Sequence, residues 1–279
     1  MCIIIDEKFY FLKEKRKMKK IICLALVLVM TLAIVACGEP TTTDPTTQPT
    51  TQPTTSSTVK PNKPDVEDTT TKSEGVMTWE EYVAAENGSK VVIEAYVQGH
   101  QSWWNNQISV YAQDGIGGYF LYNFPCSEEM ANQLVPGTKI RVYGYKAEWA
   151  GELELVTDEL DPDYARIEII EGNYVAEPAY VTDLLGTDEL VNYQNMFVKF
   201  VGLEFVSASY KNDGGDDIYV TVKYNGVEYS FCVEVYLTGT STEVYQKVAT
   251  LKAGDIIDVE GFAYWYNGIN THITSITVK

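Results

Sequence analysis

The residues of this chain best suited to hold a ligand are aromatic side chains that lie close to polar and basic ones. Two of them, Trp103 and Trp104, are adjacent in a short stretch of polar residues. Both cannot point inward from one short loop, so at least one is expected to meet solvent or a ligand. Aromatic rings beside cations can stack on bases or sugars. The predicted ligand contacts are Trp103, Trp104, Tyr111, Lys139, Arg141 and Tyr143.

Metal and catalytic chemistry have weaker signals in the sequence. Asp213, Asp216 and Asp217 form a glycine-rich acidic stretch that is a weak calcium candidate, because it lacks the ordered spacing of a known calcium loop. An acidic hairpin turn explains the same residues. His100 and His272 have no cysteine or histidine partner at zinc-ligand spacing. No nucleophile elbow or phosphate loop is present in the sequence. We therefore expect a protein that is not an enzyme and needs no cofactor.

The amino-terminal segment has the pattern of an export signal. Lys19 and Lys20 precede an apolar run over residues 21–36, which is the length of a signal-peptide core and short for a membrane span. The run ends in Ile-Val-Ala and then Cys37. This resembles the lipobox of bacterial lipoproteins, whose cysteine is diacylated and becomes the first residue after cleavage. An uncleaved anchor helix is the alternative. The basic stretch over residues 1–17, ahead of Met18, suggests a start codon assigned too early.

The lipobox resemblance implies a protein anchored on the extracellular face of a bacterial membrane, with residues 1–36 removed. Residues 37–75 would then comprise the lipidated cysteine and a Thr/Pro-rich stalk with little apolar surface to bury, as in a disordered tether. The whole chain has a net charge of −18. The leader holds 7 of the 21 basic and 3 of the 39 acidic residues, so the mature chain carries about −22. Such acidity favours solubility and disfavours strong binding to phosphate polymers.

The rest of the chain contains a repeat at a fixed offset of 117 residues. Four positions match with identical spacing, and three of them are glycines. The matched pairs are Leu134 with Leu251, Gly137 with Gly254, Gly144 with Gly261, and Gly151 with Gly268. We therefore predict two domains of one type, residues 76–172 and 173–279. The remaining cysteines, Cys126 and Cys232, lie at non-equivalent places, which disfavours a bridge between them.

Strand patterns dominate both repeats, and their order indicates the fold. Alternating apolar residues predict strands over 91–97, 107–113, 119–124, 138–145 and 166–170, then over 197–205, 218–224, 227–236, 256–264 and 271–278. Capping boxes are predicted at Thr78 with Glu81 and at Thr240 with Glu243. The order resembles tandem OB-fold domains of bacterial surface proteins. We expect a mainly β protein of two five-stranded Greek-key barrels, each with a short helix between strands three and four and a helical lead-in.

OB-folds bind oligonucleotides or oligosaccharides on the face of strands two and three, so the resemblance implies a non-catalytic binding protein. We expect an oligosaccharide or single-stranded nucleic acid on the first barrel, and the second repeat replaces Arg141 by Asp258 there. The alternative is a structural or protein-interaction module of a surface assembly, with the tryptophans packed over the barrel. Tyr264, Trp265 and Tyr266 in the second repeat suit sugar stacking or, preferably, an interface between barrels.

Overall fold

A computed structural model describes residues 72–279, apart from the side chain of Asp213. The predicted leader, Cys37 and most of the predicted stalk lie outside the described residues. Two six-stranded sheets make up the described chain, and each contains a closed barrel. In the part of the chain that the structure describes, no helix is long and apolar enough to cross a membrane.

The first barrel is closed by antiparallel pairing between its first and fourth strands. The sheet order is β1-β2-β3-β5-β4-β6, and the parallel pairing of β3 with β5 completes the five-stranded circuit of an OB-fold. The sixth strand pairs with β4 and takes no part in this circuit. The strands are β1 (Lys90–His100), β2 (Gln107–Gln113), β3 (Gly118–Pro125), β4 (Thr138–Trp149), β5 (Glu152–Val156) and β6 (Arg166–Asn173).

One strand assignment in the first repeat needs correction. The sequence pattern predicted residues 166–170 as the fifth barrel strand, but β5 holds that place and the later segment is the added β6. The short β5 follows β4 after a turn of only Ala150 and Gly151, both with positive φ. That tight turn makes β5 the antiparallel partner of the last residues of β4, whereas β6 pairs with residues 138–143, further back along the same edge of β4.

The second barrel repeats the same circuit. Its sheet order is β11-β12-β10-β9-β8-β7, with β11 pairing β8 to close the barrel. Asn225 and Gly226, both with positive φ, join β9 to β10 as a two-residue hairpin turn, for which an Asn-Gly pair is well suited. The fold class is therefore two tandem OB-like barrels. The strands are β7 (Ala179–Tyr180), β8 (Phe197–Tyr210), β9 (Ile218–Tyr224), β10 (Val227–Val233), β11 (Ile256–Phe262) and β12 (His272–Val278).

Short helices close the ends of the barrels. The lead-in helix α1 (Trp79–Ala84) has the predicted capping box, since Thr78 and Glu81 exchange hydrogen bonds between side chain and backbone. Its Tyr82 is fully buried in the first core, so the helix plugs that barrel. Two 3-10 turns, Thr182–Leu184 and Asp188–Tyr193, precede the second barrel.

The helices between strands three and four also occur in both barrels. In the first barrel, α2 (Glu128–Ala131) is capped by the Ser127 side chain. In the second, α3 (Val235–Thr238) is followed by α4 (Glu243–Val248). The predicted capping box at Thr240 is wrong, because Gly239 ends α3 with positive φ and the chain turns until Thr242 before α4 begins.

The repeated glycine in the fourth strand marks a close approach of neighbouring groups. Gly144 in β4 and Gly261 in β11 are equivalent positions near the end of the pairing with the first strand. A Cβ atom at Gly261 would lie 2.2 Å from the backbone oxygen of His272, and one at Gly144 would lie 2.7 Å from Cζ of Phe124. Both barrels therefore leave no room for a side chain at this position.

We predict that Gly261→Ala lowers the free energy of unfolding by about 1–3 kcal/mol, because the new methyl group overpacks against backbone that cannot turn aside. Urea unfolding of the full chain measures the loss. The matched variant Gly144→Ala is expected to lose less, since the Phe124 ring can move. If Gly261→Ala is as stable as the natural protein, the conclusion that no side chain fits at this position is wrong.

Candidate functional site

The adjacent tryptophans of the first barrel have different environments. Trp103 packs against the first core, and its Nε1 donates a hydrogen bond of 2.8 Å to the carbonyl oxygen of Cys126. Trp104 is 68% exposed, whereas Trp103 is partly buried, so only Trp104 presents most of its ring to solvent. The loop is anchored to the second barrel, because the Ser102 amide donates to the carbonyl oxygen of Tyr236 at 2.6 Å. The structure therefore displays a single ring here rather than a stacking pair.

Tyr111 does point outward from β2, as the alternation predicted, but the second barrel covers it completely. Its ring stacks on Phe262 with centroids 4.3 Å apart and planes 5° from parallel. Its hydroxyl lies 2.8 Å from Nδ1 of the buried His272. The prediction of Tyr111 as a ligand contact is corrected, since the residue has no surface to offer.

The face of β2 and β3 in the first barrel is consequently an interface between barrels. Phe120 on β3 joins Tyr111 and Phe262 in a separate buried aromatic cluster. Polar contacts surround this cluster: Gln113 Oε1 accepts from the amide of Phe197 at 2.7 Å. The backbones also meet, because a Cβ atom at Gly118 would lie 2.4 Å from the Asn195 carbonyl carbon. The surface on which an OB-fold usually holds its ligand is thus occupied in this barrel.

The basic residues predicted to hold a ligand are engaged by one buried carboxylate. Arg141 donates from Nε and Nη2 to Oε1 of Glu94, at 3.0 and 2.7 Å, and Lys139 lies 3.7 Å from Oε2 of the same residue. Burial alone would raise the pKa of Glu94, but bonds from Ser73 and Arg141 hold it below its usual value. Removing Arg141 would take away the hydrogen-bonded counter-ion of this buried carboxylate, so Arg141 has a structural role, and Lys139 adds to the compensation of the same charge.

Tyr143 also belongs to a local contact rather than to an open site. The Arg166 guanidinium lies over its ring, 3.5 Å from the centroid, and Tyr164 packs edge-on against it. Lys139, Arg141 and Tyr143 share the β4 surface, whereas Trp104 is on the loop between β1 and β2. The structure therefore does not bring the six predicted contacts together into one surface.

The carboxylates of the calcium candidate are occupied by protein groups. Asp217 accepts from Lys211 Nζ at 3.1 Å and from the Val235 amide at 3.1 Å. Asp216 accepts from Asn212 at 2.7 Å and lies 3.5 Å from Lys211. The Asp213 side chain is outside the described part. Among described residues no cluster of three metal-ligating side chains occurs. Cys126 and Cys232 are both buried free thiols.

An open cleft of about 620 Å³ lies on the second barrel instead. Its floor is the face of β9 and β10, and its wall is the turn between β11 and β12, the fourth and fifth strands of that barrel. This is the position at which OB-folds hold oligonucleotides and oligosaccharides. The cleft is rich in aromatic and amide side chains, with lining residues that include Tyr219, Tyr229, Trp265, Tyr266, Thr187, Glu228, Ser230, Asn267 and Asn270.

The wall of this cleft is held by the first barrel. The Trp265 amide donates to Oε2 of Glu152 at 2.7 Å, and the Asn267 amide donates to the Ala150 carbonyl oxygen at 2.6 Å. The rings of Trp149 and Tyr266 lie 5.1 Å apart. Ala150 and Asn267 are equivalent positions in the repeat, as are Trp149 and Tyr266, so like parts of the two hairpins touch. The first barrel therefore fixes the turn that carries two of the cleft's rings.

Two polar groups at the cleft can still accept hydrogen bonds. Oδ1 of Asn270 is buried and has no hydrogen-bond partner among the described residues. Glu228 is exposed, and its carboxylate makes no hydrogen bond or ion pair within the described chain, although Lys223 lies opposite it in register. Aromatic faces with nearby amide and carboxylate oxygens can stack on a sugar ring and accept hydrogen bonds from its hydroxyls.

Sequence reasoning identified part of this cleft. The aromatic run at Tyr264, Trp265 and Tyr266 was proposed for sugar stacking or for the interface, and the structure divides it between the two. Tyr264 stacks on His272 and joins the interface, whereas Trp265 and Tyr266 line the cleft. Tyr219 and Tyr229 were missed because an aromatic residue on a strand is also an ordinary strand former.

Two buried titratable groups beside the interface have shifted pKa values. Burial lowers the pKa of His272 from 6.5 to about 3, so the imidazole is neutral. Burial, aided by the charge of Asp217, raises the pKa of Glu234 from 4.5 to about 7. Oε2 of Glu234 has no partner among described residues, while Oε1 accepts from the Tyr236 amide at 3.3 Å. Burial likewise raises the pKa of the Cys232 thiol.

No family model and no curated protein matches this chain. Solved structures with a similar fold include a HINa domain in complex with 20-bp double-stranded DNA, at 9% identity, a TM-score of 0.32, and 68% coverage of this chain and 98% of that one. A murine DNA-binding protein bound with double-stranded DNA has 10% identity, a TM-score of 0.33, and coverage of 67% and 94%.

A third similar structure is an asparaginyl-tRNA synthetase of Entamoeba histolytica, in complex with asparaginyl-adenylate, at 18% identity and a TM-score of 0.27. The match covers 38% of this chain and 25% of the synthetase. Matches with such low identities and TM-scores do not indicate function, so the ligands of those proteins are not assigned to this chain. The class of protein is defined by the strand pairing: a tandem pair of OB-like barrels.

We predict opposite pH effects of His272 and Glu234 on stability. Between pH 6.5 and about 3 the unfolded chain binds more protons at His272, so stability falls as the pH drops. Between about 7 and 4.5 the folded chain binds more protons at Glu234, so stability rises as the pH drops. The two effects offset each other where these windows overlap.

Glu234→Gln should therefore make the free energy of unfolding fall toward mildly acidic pH, relative to the natural protein, by a slope of up to about 1.4 kcal/mol per pH unit. Urea unfolding across that range measures the slope. The matched variant His272→Gln should change the slope in the opposite direction. Parallel curves for Glu234→Gln and the natural protein would refute the assignment to Glu234.

Proposed function

We propose that this protein is a lipid-anchored extracellular binding protein that holds an oligosaccharide in the cleft of its second barrel. The observation that carries the proposal is the composition of the cleft. Among the described residues, four aromatic side chains line it together with amide and hydroxyl groups, and no lysine or arginine does so. Sugar recognition uses aromatic stacking and hydrogen bonds to neutral or anionic acceptors, and it needs no cluster of cations.

The same composition disfavours the single-stranded nucleic acid that was expected as the other ligand. Binding to a phosphate backbone draws its affinity from clustered lysine and arginine. The second barrel has six lysines and fourteen acidic residues over 173–279. On the first barrel, Lys139 and Arg141 already compensate Glu94. Even if the bases stacked in the cleft, the phosphates of the nucleic acid would be repelled by the acidic residues of the second barrel.

The first barrel has a supporting role in this proposal. Its strand-two and strand-three face is taken up by the second barrel, and its β4–β5 turn braces the cleft wall. In this proposal the first barrel acts as a structural module and the second barrel holds the ligand. Anchoring through Cys37, with residues 38–75 as the tether, would place the cleft outside the cell, where polysaccharides are available. A surface protein partner remains the alternative ligand.

We expect Tyr266→Ala to weaken saccharide binding about tenfold, because it removes an exposed stacking face from the cleft. Titration of neutral hexasaccharides, including cellohexaose and the N-acetylglucosamine hexamer, into the full chain in detergent micelles measures the affinity. Trp104→Ala is the matched control, since it removes an exposed ring that is outside the cleft. If Trp104→Ala abolishes binding while Tyr266→Ala leaves it intact, the site is on the first barrel.

A single-stranded DNA oligomer titrated in parallel tests the competing ligand. DNA binding without saccharide binding would overturn the proposed ligand class. The absence of any response to glycans, from a glycan array and from the titrations, would reject the saccharide-binding function and favour the protein-interaction alternative.

Lipid anchoring is tested separately with Cys37→Ser. We expect this variant to lose palmitate labelling in a bacterial host and to keep residues 1–36, because the acylated cysteine is the residue at which lipoprotein leaders are cleaved. Mass spectrometry of the amino-terminal peptide checks both results. Cys23→Ser, a change inside the apolar run, serves as the control and should keep the label. Retention of the leader in the natural protein would support the uncleaved anchor helix.

A further inference from the structure

Glu228 is an unpaired carboxylate at the cleft. It lies on β10, and Lys223 is directly opposite it on β9. The Lys223 ammonium group instead bonds Oε1 of Glu204 at 2.7 Å. The Glu228 carboxylate makes no hydrogen bond or ion pair with any other described residue, and it is the one charged side chain among the described residues that line the cleft. A carboxylate is thus presented to a ligand without a counter-ion from the described part of the chain.

Acidic residues near the cleft add to the negative potential that Glu228 creates there. Asp188 and Glu189 are exposed and lie between the lining residues Thr187 and Leu190. Lys252 does not line the cleft. The other lysines of the second barrel are in ion pairs that reduce their field: Lys199 with Glu260, Lys211 with Asp216 and Asp217, Lys223 with Glu204, Lys247 with Glu243, and Lys279 with Asp258.

A free carboxylate beside aromatic faces matches an ammonium group in two ways. The carboxylate accepts a charge-assisted hydrogen bond from the ammonium group, and this bond is shorter and stronger than one between neutral partners. The face of a tryptophan or tyrosine ring attracts the same cation through its quadrupole. Trp265 and Tyr266 supply such faces in this cleft. A uronic acid or a phosphate would meet the unpaired charge of Glu228 and be repelled.

We propose that the cleft selects saccharides that carry free amines, with Glu228 as the group that recognises the ammonium. The ligand class is an oligosaccharide of de-N-acetylated amino sugars. This inference rests on the saccharide binding proposed above and narrows it to cationic glycans. Stacking on the aromatic rings supplies binding to the sugar ring, and Glu228 supplies the discrimination by charge.

Titration of three oligomers into the full chain, in detergent micelles at mildly acidic pH and low salt, tests the inference. The probes are a glucosamine hexamer, an N-acetylglucosamine hexamer and a galacturonate hexamer, which differ in charge. We expect the glucosamine hexamer to bind about tenfold more tightly than the N-acetylated one, and the galacturonate hexamer to bind most weakly. Glu228→Gln should reduce the glucosamine preference to about onefold.

Controls distinguish recognition from general attraction of opposite charges. Glu86→Gln removes one exposed carboxylate from the first barrel and should keep the tenfold preference. An oligolysine of matched charge should bind at least tenfold more weakly than the glucosamine hexamer, and equal binding would overturn the proposal. Equal affinity for all three hexamers would also overturn it while leaving saccharide binding intact. Binding of none of them would reject the saccharide function itself.

Discussion

The stacking of Tyr111 on Phe262 is the contact on which the arrangement of this molecule depends. The two rings are nearly parallel, and each belongs to a different barrel. The contact buries the outer face of β2 and β3, which a lone OB-like barrel would leave to solvent. Small residues permit the approach, since a Cβ atom at Gly99 would lie 2.9 Å from the Phe262 ring. The hydroxyl of Tyr111 is buried among apolar groups, and it finds its hydrogen-bond partner in the neutral His272.

This interface determines which barrel can bind a ligand. The two copies have one topology, so each has a strand-two and strand-three face suited to binding. In the first copy that face is covered, and in the second it opens into the cleft. The interface also supplies the contacts from Ala150 and Glu152 that hold the cleft wall. Docking of the barrels thus covers one of these faces and braces the wall beside the other, and bracing of this kind lowers the ordering cost of binding.

Electrostatics separate the two surfaces further. The basic residues of the first barrel that suggested ligand binding are Lys139 and Arg141. Both are paired with the buried Glu94. A buried pair of this kind is costly to break because it leaves an unpaired charge behind. At the cleft the situation is reversed, since Glu228 is exposed and its cross-strand neighbour Lys223 is engaged elsewhere. Charged side chains therefore stabilise the first barrel by pairing with each other, whereas at the cleft of the second barrel the charge of Glu228 remains available.

The sequence by itself determined the fold. The alternation in 107–113, the Asn-Gly turn at Asn225 and the repeated glycines Gly144 and Gly261 each act through local geometry: side-chain period, allowed φ and space for a Cβ atom. These constraints do not depend on distant residues, so they can be read from the chain. The fifth strand of the first barrel was misassigned because β5 is only five residues long and two of the five are glutamates, a residue type that is depleted in strands.

Only the tertiary structure decided where ligands can bind. Tyr111 and Tyr219 are outward residues of second strands, and nothing local distinguishes them. Tyr111 is covered by a residue 151 positions away, Phe262, whereas Tyr219 remains at an open cleft. Likewise, Arg141 and Glu228 are both charged strand residues, and their availability depends on Glu94 and Glu204, contacts set by strand register. Exposure and charge pairing arise from packing between elements, which residue spacing along the chain does not encode.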